Sequence, residues 1–157
     1  MQGKYYSFGA TSAVITGLAV IVGLSRTANP VIGITTALVV IAIADNISDS
    51  FGIHIHQESQ KESVAEVRKT TFTNFVTRVA VVSIFVLLVI LLPVNAAVAS
   101  SIFFGMAVIS VISYFIAKER DAKPYRVVSQ HLLITVLVII GSYFLREASA
   151  GLMAKFG

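Results

Sequence analysis

Residues 75–117 read FVTRVAVVSIFVLLVILLPVNAAVASSIFFGMAVISVISYFIA. Two apolar runs stand here on either side of Pro93, each near the roughly 20 residues that an α-helix needs to cross hydrocarbon. Pro93 has no backbone N–H to donate, and with Asn95 it separates the runs into a tight hairpin at a polar rim. The spacing predicts helix 3 over about Phe75–Leu92 and helix 4 over about Val94–Ala117. Arg78 falls close to the start of helix 3 and reads as part of that helix's charged edge.

The same pattern extends in both directions. Helix 1 is expected from about Tyr6 to Leu24, helix 2 from about Val31 to Gln57, and helix 5 from about Val127 to Leu145. Arg26, Asn29 and Pro30 break the chain between helices 1 and 2, and Pro30 suits a first helical turn. The charged run Lys118–Arg126, which contains Pro124, must lie in water. The first apolar segment follows a single Lys and has no small-residue cleavage pattern, so it reads as retained. The expectation is an all-α integral membrane protein, a single five-helix domain over residues 1–157.

Composition points the same way. Apolar residues make up 56% of the 157 positions and charged residues 13%. Ordinary soluble domains have roughly 45–50% and about 25%. With a mean hydropathy of +0.86, too few polar groups remain to cover a soluble fold. The net charge of +4 sits in short connectors rather than on one face, which argues against nucleic acid as a partner. Cysteine is absent, which excludes disulfides, thiolate metal sites and thiol nucleophiles. Lys4, Lys61, Arg68, Lys69, Lys118, Arg120, Lys123 and Arg126 collect on one side, with Arg78 near its edge. Arg26, Arg146 and Lys155 lie on the other. Positive connectors face the cytosol, so the N-terminus is expected there. A prokaryotic cell membrane is the expected location, ahead of an organelle membrane.

Helix 2 carries the anomaly. Asp45 and Asp49, one turn apart, share a face with Gly52 and His56, with Ser48 and Ser59 beside it. A carboxylate inside a bilayer costs about 2.5–3.5 kcal/mol on insertion scales, and two neighbours repel unless a cation or proton lies between them. Helices 1, 2, 4 and 5 offer no Lys or Arg within their apolar portions, so the expected partner is a transported cation. Carboxylates with an imidazole suit Fe²⁺, Mn²⁺ or Zn²⁺ better than a soft metal. Ser12 and Thr16 on helix 1 could add oxygens. The competing reading is that both Asp are protonated, or capped by Asn46, Ser48 or hydroxyls of another helix. A second stripe, His54, Glu58, Glu62 and Glu66, would collect cations on the cytosolic side if helix 2 runs on. Otherwise it is a solvated face paired with Lys61, Arg68 and Lys69. His131 reads as interfacial, with pH sensing as an alternative. No phosphate loop, Ser/His/Asp arrangement or H-E-x-x-H motif is present, and no enzymatic activity is expected.

Gly9-Ala10-Thr11-Ser12-Ala13-Val14-Ile15-Thr16 resembles the G-A-N-D-G-x-V-T start of helix 1 in the vacuolar iron transporter family. Asp45-Asn46-Ile47-Ser48-Asp49-Ser50-Phe51-Gly52, followed by Glu58-Ser59-Gln60, resembles that family's helix 2, A-x-S-M-A-A-G-E-Y and then S-x-Q. Pro93, Pro124 and Gly141-Ser142-Tyr143-Phe144 fall in matching order. The resemblance implies a homodimer whose first helices line a shared path, exporting Fe²⁺ or Mn²⁺ from the cytosol against protons, with no resident cofactor. The chain departs from the family where its helix 1 Asp falls at Ser12, its helix 2 Met at Asp49 and its Glu at Ile53. The long metal-binding helices between helices 2 and 3 of plant and protist members are missing. Either the acidic ligand has moved from helix 1 to helix 2, or transport has been lost or altered. A non-transporting scaffold, a metal-sensing partner protein or a carrier of another cation stands as the alternative.

Overall fold

The computed structural model describes residues 4–61 and 63–156. These form five helices, α1 (Lys4–Leu24), α2 (Pro30–Ser59), α3 (Val64–Leu91), α4 (Val94–Glu119) and α5 (Pro124–Phe156). All five are long and apolar enough to cross a membrane. Glu62, one of the expected cation-collecting residues, lies outside the described residues, as do the side chains of Lys4 and Lys155.

The ends of the helices follow from local chemistry. Pro30 opens α2 at the position where a missing N–H costs nothing. The Ser63 hydroxyl caps α3 by accepting from the Glu66 N–H at 3.3 Å, and Glu66 places its charge in the favourable first turn. Leu92 adopts an extended backbone and Pro93 is the N-cap of α4. Lys61 and Asp121 take left-handed φ values of 58° and 50°, which reverse the chain after α2 and α4.

Two helices are longer than hydropathy implies. α3 begins at Val64 rather than near Phe75, and α5 continues to Phe156 rather than stopping near Leu145. The extra segments carry charged residues but no proline, so they remain helical.

α1 is the axis of the molecule and packs against all four other helices. Around it, α2 packs on α3, α3 on α4 and α4 on α5. Among the described residues α2 and α5 make no comparable contact, so the surrounding arc is open on that side. The core joins Ala10, Ala13, Val14, Leu18 and Ile21 of α1 to Leu38, Val82, Phe85 and Ile109 of its neighbours. Close approach depends on two glycines of α1. A Cβ on Gly9 would sit 2.6 Å from Asn74 Oδ1, and one on Gly17 would sit 2.7 Å from the Phe85 ring. The Ala13/Gly17 step is therefore used within the chain, against α3. A different stripe of α1 is left partly uncovered, formed by Ser12, Thr16, Ala19 and Gly23. At the far end, Arg146 of α5 donates to Ser25 Oγ at 3.0 Å and lies over the Tyr143 ring.

Candidate functional site

α2 and α3 run antiparallel, which brings the middle of one beside the middle of the other. Asp45 stands midway along α2 and Arg78 midway along α3. Arg78 is fully buried. Its Nη2 donates to Asp45 Oδ2 at 2.8 Å, and its Nη1 is paired with Asp49 Oδ2. The same Nη1 donates to Ser12 Oγ at 2.7 Å, and Ser12 in turn donates to Asp49 Oδ2 at 3.2 Å. One guanidinium thus ties α3 to two turns of α2 and, through Ser12, to α1.

A neutral network continues the seam. Asn46 Nδ2 donates to the Phe75 carbonyl at 3.1 Å. Asn74 Nδ2 donates to Ser50 Oγ at 3.3 Å, and Ser50 Oγ reaches Asn46 Oδ1 at 3.5 Å. All three residues are buried. Beside them, Arg78 Nε and Asn74 Oδ1 are buried with no hydrogen-bond partner. These two atoms leave a donor and an acceptor unfilled next to the charges.

Arg78 corrects the expectation that the carboxylates lack a protein counter-charge. It is wholly buried and stands midway along α3, which starts well before Phe75. Between two Asp and one Arg the formal charge is −1. The acids are not sealed in: the Asp45 side chain is 49% exposed and that of Asp49 29%. A buried Arg with two outward-leaning acids is an arrangement in which the acids can change partner while the Arg stays.

The remaining candidate residues are distributed differently from the sequence expectation. Thr16 lies one turn along α1 from Ser12, partly buried and without a hydrogen bond to the cluster. His56 is exposed, about 16 Å along the α2 axis from Asp45, so sharing a helical face does not bring it to the carboxylates. His54 Nε2 and Glu58 Oε1 do pair, at 3.3 Å. The stripe ends there, because α2 stops at Ser59 and Glu66 belongs to the first turn of α3 beyond the reversal at Lys61. Among the described residues, no three His, Cys, Asp or Glu side chains are grouped to hold a metal ion. Any cation bound between Asp45 and Asp49 must compete with the guanidinium.

A signal for Arg78 was present in the sequence. Val67, Thr70, Asn74, Arg78, Val81, Phe85 and Val89 are buried and recur at steps of three or four, as one face of a helix must. The apolar half of that stripe continues without a break into its polar half. No protein-family model matches the chain, and neither do the curated proteins nor the solved structures.

Proposed function

We propose that this chain is an integral membrane protein, N-terminus in the cytosol, that exports a divalent cation, Fe²⁺ or Mn²⁺, in exchange for protons. Asp45 and Asp49 are its cation-binding carboxylates and Arg78 is their resident counter-ion. The observation that carries this reading is one wholly buried guanidinium set against two partly exposed acids at mid-helix. Intramembrane ionisable residues are costly and mark ion paths, and a net charge of −1 leaves room for a positive ligand. A proton on Asp45 brings the cluster to zero, and a divalent ion with both acids ionised brings it to +1. Alternation between these two states is the exchange. The motif order supports placing the chain as a short, divergent relative of vacuolar iron transporters, in a prokaryotic cell membrane.

A second copy completes the site in this reading. The uncovered Ser12, Thr16, Ala19 and Gly23 stripe carries small residues, which let helices approach closely. It lies on the helix whose Ser12 already touches Asp49. Two such stripes facing each other would close both open arcs and line a shared path between the two Asp45 side chains.

A flux screen tests the proposal. Purified protein in proteoliposomes is given Fe²⁺, Mn²⁺, Zn²⁺ or Ca²⁺ with an imposed pH gradient. Wild type is expected to move Fe²⁺ or Mn²⁺ with counter-movement of protons, and Asp45→Asn to lower that flux at least tenfold while remaining folded. Wild-type flux from Asp45→Asn rules out the site. The second reading, a non-transporting membrane scaffold, is favoured by the completeness with which Arg78 engages both acids. It requires that wild type carries no ion under any gradient.

A further inference from the structure

On a neighbouring face of α1 a cavity of about 100 Å³ lies between α1, α4 and α5. α1 contributes Thr11 and Ile15, α4 contributes Ile109, Ser113 and Ile116, and α5 contributes His131, Ile134 and Thr135. Ser113 and Thr135 are almost wholly buried, and the volume is ample for several waters. His131 is its one titratable lining residue.

The hydrogen bonds of Ser113 bear on the tautomer of that imidazole. Ser113 Oγ lies 2.6 Å from the Ile109 carbonyl oxygen and 2.7 Å from His131 Nδ1. A hydroxyl has a single hydrogen. Two oxygens at 2.6 Å require that hydrogen between them, so Ser113 donates to Ile109 O. The contact with Nδ1 must then be donated by the ring. That arrangement calls for the Nδ1–H tautomer of His131, with the Nε2 lone pair free. Thr135 Oγ1 is occupied in its own turn, donating to the His131 carbonyl at 2.9 Å.

We propose that His131 is a proton-binding site, with Nε2 as the acceptor and the cavity water as the proton's route. Of the elements packed around it, α1 presents Thr11 and Ile15 and α4 presents Ile109, Ser113 and Ile116, none of them titratable. The nearest charge to Ser113 on α4 is Lys118 and the nearest to His131 on α5 is Arg126, with Asp121 and Lys123 in the connector between the two helices. All four are exposed, Lys118 lying over the Tyr114 ring. Histidine is the side chain suited to exchanging a proton between about pH 5 and 8. The site is independent of the cation reading, although the two share α1: Thr11 lines the cavity, and its neighbour Ser12 bonds to Asp49.

Long-range ¹H–¹⁵N correlation of the imidazole rings tests this, using the whole chain in nanodiscs. Replacing the other two histidines, His54→Gln/His56→Gln, leaves His131 as the sole histidine. At pH 8 the expected spectrum is that of Nδ1–H with a bare Nε2, and lowering the pH to 5 adds the proton at Nε2. Ser113→Ala is expected to release the ring toward Nε2–H, the form free imidazole side chains favour. An Nε2–H ring at pH 8 in the Ser113 background, or a ring unchanged from pH 8 to 5, overturns the proposal. Neither outcome depends on whether the chain carries any metal.

Discussion

Arg78→Met isolates what the guanidinium does. The substitution keeps an unbranched chain of similar length in a wholly buried position and removes the charge that Asp45 and Asp49 share. Loss of one partner from a buried ion pair costs about 3–5 kcal/mol, because the remaining charge is uncompensated. Here two charges remain, but Asp45 and Asp49 keep 49% and 29% of their side-chain surface exposed. That access lets them turn outwards or take up protons, so the lower end applies, about 3 kcal/mol. The triple variant Asp45→Asn/Asp49→Asn/Arg78→Met removes the whole charged group. Replacing a complete buried ion cluster by neutral residues is often close to neutral, so this variant is expected within about 1 kcal/mol of wild type. Reversible SDS unfolding in bicelles measures both differences. A loss below about 0.5 kcal/mol in Arg78→Met, or a triple variant no better than the single, refutes the inference that Arg78 serves mainly to neutralise these two acids.

The packing and topology give further tests. Gly9→Ala puts a methyl group 2.6 Å from Asn74 Oδ1 and 2.7 Å from the Asn74 carbonyl oxygen. One contact is backbone, so a loss of about 1–3 kcal/mol is expected in the same unfolding assay. Because the chain has no cysteine, single Cys variants report cleanly. Thr16→Cys and Gly23→Cys are expected to form disulfide-linked dimers in oxidised membranes, and Ala13→Cys, buried against α3, is not. Dimers from Ala13→Cys alone would move the inter-chain face. Ser63→Ala deletes the side-chain cap of α3 and is expected to cost about 1 kcal/mol, read from the unfolding midpoint. For orientation, Lys61→Cys and Asp121→Cys should react with an impermeant maleimide only from the cytosolic side, and Thr27→Cys only from the other.

The five helices were legible because hydropathy reports where a chain can meet lipid, and α2 and α4 fall within a few residues of their sequence bounds. α3 and α5 show what that signal omits. Residues 64–74 and 146–156 interrupt the apolar runs with charged residues yet stay helical, since a helix requires backbone hydrogen bonding and the absence of proline, not hydrophobicity. The error at α3 had a chemical consequence. With a start at Phe75, Arg78 fell in the first turn, where an arginine is solvated and inexpensive. With the start at Val64 the same residue stands midway along the helix and must find an anion. The side chains on its stripe name the place: Asn74 one turn earlier is buried against Gly9, and Phe85 two turns later is buried against Gly17. A charge on a stripe that glycines of another helix approach this closely is wholly buried and must be paired. It can only be matched by the acids of α2, and Asp45 and Asp49 are the two that α2 offers within its apolar half. The ion cluster is thus set by helix register, around an arginine that packing has fixed in place.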